Sequence, residues 1–177
     1  MIENLWSGWR SDYISTLPAQ QSPNAKKGET QSSIFRRILE SEVDDQDSYI
    51  IHRSQHVFAI MNSYPYAVGH FMVVPYRQVA ELSALTPEES VDLWATVTEG
   101  VTVAKTALAP DGMNVGVNLG AAAGGSVNEH LHVHVVSRWL GDNNFLVATA
   151  NTKSISEALD VTADRLRQAW RDHRVVQ

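Results

Sequence analysis

The segment Glu129-His130-Leu131-His132-Val133-His134-Val135-Val136 constrains the fold more than any other stretch. Histidine and apolar residues alternate with period two, the spacing of a half-buried β-strand. The pattern predicts a strand over 130–138 with His130, His132 and His134 on one face. Leu131, Val133 and Val135 then fill the opposite face and pack beneath a helix. Three imidazoles in a row make poor core material, because each needs a polar partner once it leaves water.

The remaining elements can be read around that strand. A polar stretch, Ser33 to Glu42, carries Ile34, Phe35, Ile38 and Leu39 on one side and reads as a short helix. Two β-rich runs, 49–52 and 57–61, read as a hairpin. His70 to Pro75 is a strand that Pro75 stops. Thr86-Pro87-Glu88-Glu89 has the cap, the early proline and the returning glutamate of a helix start, and that helix should run to about Ala109. Strands follow at Met113 to Asn118, His130 to Arg138 and Phe145 to Thr149. Ser154 with Glu157 opens a last helix that ends near Arg171. Hairpin-like strands with two main helices argue for an α+β fold with a mainly antiparallel sheet.

A chain of 177 residues suits one domain. It can bury about 70% of its unfolded surface and needs no covalent staples. It has no cysteine, which excludes disulfides and thiolate metal sites. Its 14 basic and 20 acidic residues leave a net charge of −6, the wrong sign for a broad nucleic-acid surface. No apolar run is long enough to span a membrane. The start Met1-Ile2-Glu3-Asn4 lacks the basic and apolar stretches of a signal peptide, so the expected compartment is the cytoplasm. Residues 1–31 form a separate N-terminal segment. It holds Leu5, Trp6, Trp9, Tyr13 and Ile14, followed by a polar loop with Pro23 and Gly28. The domain proper spans 32–177.

Two chemistries fit the histidine strand. His-x-His can present two metal ligands, with His70 as a third. Alternatively the central imidazole attacks phosphorus while its neighbours set its tautomer. Just upstream lies Asn118-Leu119-Gly120-Ala121-Ala122-Ala123-Gly124-Gly125-Ser126. Glycines of this kind let backbone N–H groups close around an anion, and Ser126 and Asn118 add polar side chains.

At these residues the chain resembles the histidine triad (HIT) superfamily, whose motif is His-φ-His-φ-His-φ-φ with φ apolar. His130 to Val136 matches all seven positions. Phe58-Ala59-Ile60-Met61-Asn62 and Gly69-His70-Phe71 are similar to the family's nucleoside-pocket strand and Gly-His turn. Leu5-Trp6-Ser7-Gly8-Trp9-Arg10 and the run from Ser137 to Phe145 resemble the bacterial branch related to diadenosine tetraphosphate phosphorylases. The resemblance implies a HIT-like α+β fold, a five-stranded mainly antiparallel sheet with two main helices, pairing as a homodimer. It implies a nucleotide or dinucleoside polyphosphate substrate and inorganic phosphate as acceptor, with His132 as nucleophile. His130, His134 and His70 would support it. Asn62, Asn118, Gly124, Gly125, Ser126, Asn128, Arg138 and Trp139 would bind substrate. No tightly bound cofactor is implied; a divalent cation such as Mg can accompany the nucleotide. Related reactions, hydrolysis of dinucleoside polyphosphates or of nucleoside phosphoramidates, use the same triad, and a nucleotide sensor without turnover is the non-enzymatic alternative.

Two departures stand out. Many relatives have Gln before the Ser of the glycine loop, whereas Gly124-Gly125-Ser126 has none, so Ser126 or Asn128 must substitute. Some relatives also carry a Cys-x-x-Cys zinc pair where this chain has Ser33-Ile34-Phe35-Arg36.

Overall fold

In the computed structural model, which describes residues 32–124, 127–142 and 155–175, five strands form one antiparallel sheet. The strands are β1 (Ile50–Arg53), β2 (Val57–Met61), β3 (Phe71–Pro75), β4 (Gly112–Val117) and β5 (Val133–Arg138). Their spatial order is β1-β2-β3-β5-β4, which places β5 between β3 and the edge strand β4. Three α-helices accompany them: α1 (Ile34–Glu40), α2 (Pro87–Leu108) and α3 (Leu159–Val175).

The start of α2 follows its sequence. Thr86 Oγ1 accepts from the Glu89 amide, and the Glu89 carboxylate accepts from the Thr86 amide. Arg77 then pairs with Glu89 and also donates to the Ala84 carbonyl. That arginine and the reciprocal bonds hold the Glu89 carboxyl down at about pKa 2, the Arg77 bond being the larger cause. The helix ends at Ala109 in the left-handed region, ahead of Pro110. The last helix starts at Leu159, later than a Ser154 cap would place it; Ser154 lies outside the described residues. Glu157 instead accepts from the Thr162 hydroxyl and from Arg165.

The two faces of the sheet carry different loads. Ala59, Phe71, Val73, Leu131, Val133 and Val135 pack with Leu93, Val97, Ala104, Leu166 and Trp170 of the long helices. Phe58, Ile60, Met72 and Val74 face the other way and pack with Phe35 of α1. Gly100 of α2 lets the helix sit close: a Cβ there would lie 2.9 Å from both Phe71 Cζ and Trp170 Cη2.

The strand expected over 130–138 begins only at Val133. The β3–β5 ladder pairs Phe71 with Val135, Met72 with His134 and Val73 with Val133. Continuing that register would set Leu131 opposite Pro75, which has no amide proton to give. The Leu131 amide instead bonds the Val79 carbonyl. His130 and His132 therefore sit on an irregular lead-in, yet the alternation survives, since Leu131 joins Val133 and Val135 in the helix-side core. The expected strand at Phe145 to Thr149 and the segment 1–31 lie outside the described residues. Among the described residues no helix is long and apolar enough to cross a membrane.

Candidate active site

The site grows from β5 and its lead-in. His134 lies opposite Met72 of β3 and Gly116 of β4, on the sheet face away from the long helices. A Cβ added at Gly116 would meet nothing within 4 Å, so the sheet surface beside His134 is open there. The His132 and His134 rings meet edge to face, with centroids 4.9 Å apart.

Hydrogen bonds to groups of fixed polarity set the ring tautomers. His132 Nδ1 is 2.8 Å from the His130 carbonyl oxygen. A carbonyl can only accept, so Nδ1 carries the proton and Nε2 the lone pair. His130 Nε2 is 2.8 Å from the Pro75 carbonyl oxygen and must donate to it. His130 Nδ1 therefore accepts, and the Ser33 hydroxyl lies 2.6 Å from it. In the loop before β3 the Tyr66 amide donates to His70 Nδ1 at 3.0 Å. His70 then carries its proton on Nε2, which is 3.0 Å from His134 Nδ1. That leaves His134 Nε2–H as a donor; the atom 3.4 Å away is Asn118 Nδ2, also a donor, so the carboxamide accepts from the ring only when turned to present Oδ1.

Burial supports the neutral forms. His70 and His130 are fully buried and His132 nearly so. Loss of solvent is the largest cause that pushes the His130 and His132 imidazoles below their ordinary pKa. Phe35 reinforces this from α1, its ring centroid 5.4 Å from each of those two rings. His132 is thus a neutral, oriented imidazole with its Nε2 lone pair available.

The other expected site residues fall in several places. Asn62 Nδ2 approaches His70 Nε2 at 3.4 Å, and its Oδ1 accepts from the Tyr64 amide. Gly124 is in the left-handed region, at the end of a short turn of 3-10 helix, Ala121–Ala123. Gly125 and Ser126 lie outside the described residues. Asn128 Oδ1 is buried without a hydrogen-bond partner among the described residues. Arg138 donates to Asn114 Oδ1 at 2.9 Å. Trp139 packs, partly buried, against the helix-side core. Among the described residues no three His, Asp or Glu side chains are grouped to hold a metal ion. The facing nitrogens of His70 and His134 are at hydrogen-bond distance, and His132 Nδ1 is taken by a carbonyl.

The model of the HIT domain matches residues 43–139, a stretch that holds the triad, His70 and the glycine loop. The chain belongs to the HIT domain family. Among curated relatives, the AP-4-A phosphorylase of Mycobacterium tuberculosis is 41% identical over 96% of this chain and 85% of its own length. The asymmetrical bis(5'-nucleosyl)-tetraphosphatase of Schizosaccharomyces pombe is 34% identical over 54% of this chain and 52% of its own. A zinc-bound histidine triad family protein of Mycobacterium smegmatis has a similar fold, with a TM-score of 0.68 at 24% identity, covering 82% of this chain and 98% of that one.

The HIT motif does not reveal what surrounds the rings. Ser33 and Phe35 precede the family match, and both touch triad histidines. The Pro75 and His130 carbonyls and the Tyr66 amide are backbone groups, which any residue could supply. Ser33 did leave a sequence signal, that of a helix start, but nothing in it pointed 97 residues ahead. His52 stacks flat on Trp170 at 4.4 Å and accepts from Arg174. Burial, then the Arg174 charge, lower its pKa to about 4.

Proposed function

We propose that this protein is a nucleotidyl-transferring enzyme acting on dinucleoside polyphosphates, with diadenosine tetraphosphate as substrate and inorganic phosphate as acceptor. One observation carries the reading. The His130 carbonyl accepts from His132 Nδ1–H, which leaves the Nε2 lone pair for attack.

His132 Nε2 attacks the phosphorus next to one adenosine. The bond to the bridging oxygen breaks, and ATP leaves with the electron pair. AMP remains joined to Nε2 as a phosphoramidate on a now cationic ring. The cation is stabilised because its Nδ1–H already faces a carbonyl oxygen. His134 donates its Nε2–H to a phosphate oxygen, held in that tautomer by His70. Backbone amides of the loop around Gly124, Gly125 and Ser126 stabilise the equatorial charge as it develops. Asn62 and Asn118 contact the nucleoside and phosphate, and Asn128 and Arg138 assist at the phosphates. The family resemblance assigns Trp139 to the base, while its partly buried side chain packs against the helix-side core. In the second step an oxygen of inorganic phosphate attacks phosphorus, His132 departs neutral, and ADP forms. No tightly bound cofactor takes part, and a divalent cation such as Mg enters with the polyphosphate.

Phosphate is favoured over water because the relative matched over most of both chains bears the name of a phosphorylase. The chain also works as a homodimer on this reading. Edge strand β4, Gly112–Val117, has no charged residue and no proline to block pairing, and Val115 is exposed on it.

Incubation with diadenosine tetraphosphate and labelled inorganic phosphate tests the acceptor. Label in ADP, with unlabelled ATP beside it, supports phosphorolysis. AMP plus ATP regardless of phosphate assigns hydrolysis instead. Binding of AMP without turnover of any dinucleotide leaves only the sensor reading.

A further inference from the structure

Ser33 has two partners in different parts of the fold. It caps α1, its Oγ accepting from the Arg36 amide at 3.2 Å. The same oxygen lies 2.6 Å from His130 Nδ1. The residue is 1% exposed, so neither bond is shared with bulk water. A hydroxyl that accepts from one amide has one proton to give. The Pro75 carbonyl claims the Nε2 proton of His130, so the Ser33 proton goes to Nδ1. A continuous line results: Arg36 N–H to Ser33 Oγ–H to His130 to the Pro75 carbonyl. The Ser33 amide is tied as well, donating to Gln78 Oε1 at 2.9 Å.

We infer that Ser33 is a positioning residue for His132. It pins the His130 ring from the side opposite Pro75, and the residue so pinned supplies the carbonyl that holds His132 Nδ1–H. Phe35, in the first turn of the same helix, touches both rings and closes the arrangement. The N-terminus of α1 thereby sets the direction of the nucleophilic lone pair. The inference rests on the reading of His132 as nucleophile, and it concerns rate more than affinity.

Three variants separate this from a plain helix cap. Ser33→Ala removes cap and donor. Ser33→Asp keeps an acceptor for the Arg36 amide but has no proton for His130. Ser33→Thr keeps both functions. For diadenosine tetraphosphate turnover, Ser33→Ala and Ser33→Asp should each lower kcat about ten- to a hundredfold, the range seen when an outer partner of a functional histidine is lost. KM and the Kd for AMP should stay within about threefold, and Ser33→Thr should restore most of kcat. Wild-type kcat in Ser33→Asp, or a loss in Ser33→Ala that appears only in KM, would overturn the inference. Nitrogen-15 NMR of the imidazoles decides it without turnover or folding of every variant. In the unsubstituted protein His130 should be protonated on Nε2 with Nδ1 hydrogen-bonded, and His132 on Nδ1. In Ser33→Ala the His130 Nδ1 signal should move and His132 should lose its single tautomer. His130 protonated on Nδ1, or a His132 signal unchanged in Ser33→Ala, would contradict it. If the unsubstituted protein turns over no dinucleotide, the proposed activity fails while the NMR result still judges Ser33.

Discussion

His132 differs from its two neighbours in what its nitrogens face. His130 is held at both nitrogens, by Pro75 and Ser33, and has no lone pair to offer. His134 is bonded through Nδ1 to His70 and presents a proton. His132 turns Nδ1–H toward the His130 carbonyl, which leaves the lone pair on Nε2. His132→Ala should therefore cost at least about a thousandfold in kcat, the scale on which loss of a covalent nucleophile acts, with AMP affinity largely kept. Rate and equilibrium binding measured on the same preparation check both halves. The pH profile has a definite sign. Protonation of Nε2 abolishes attack, and burial lowers the pKa at which that happens. The kcat/KM of the enzyme should stay level as pH falls through about 6.5, the ordinary imidazole value, and decline only below it. A decline centred at or above that value would contradict a buried neutral nucleophile.

At the scale of elements, the site depends on close approaches that glycine allows. Gly69 has φ +74° immediately before His70, and a Cβ there would run into Leu108 of α2. Gly69→Ala should displace His70 and with it the orientation of His134, lowering kcat as well as stability. Gly100→Ala tests packing away from the site. An added methyl meets Phe71 and Trp170, and overpacking of this kind costs about 1–3 kcal/mol. The melting temperature should drop by about 2–4 °C per kcal/mol in a chain this long, with kcat little changed. The order of the elements was legible in the sequence because each carries its own pattern: the capping box of α2, the alternation in 131–135, the β-rich hairpin. The start of β5 was not. It is decided by a proline on another strand and by the amide of Leu131 bonding Val79, and neither leaves a mark in the sequence of β5 itself. The triad was legible for the opposite reason, since three histidines at alternate positions cannot be explained by packing. Ser33 and Phe35 were hidden because a helix cap and an apolar helix face look the same whether or not a histidine lies behind them.

Over the whole molecule, histidines withdrawn wholly or partly from water couple stability to pH. His52, His130 and His132 all have lowered pKa values in the folded chain, His52 to about 4. The unfolded chain binds their protons at about 6.5, so it gains protons first as pH falls. Their contribution is complete above that value and is lost progressively below it. The melting temperature should be lower at about pH 5 than at pH 7, and His52→Phe, which keeps the stack on Trp170, should flatten that slope. Among the described residues β4 is an edge strand, and it carries the expectation of a homodimer. Light scattering on the eluting protein should give twice the chain mass, and Val115→Lys, which places a charge on the edge, should give the monomer.

The chemistry at His132 is tested most directly by stopping the reaction with diadenosine tetraphosphate within the first turnover, in the absence of phosphate, and mapping the adduct by mass spectrometry. One AMP joined to the His132 imidazole is expected, chased to ADP when phosphate is added. Full turnover with no adduct on His132, or an adduct on His130 or His134 in its place, would contradict the assignment of the nucleophile.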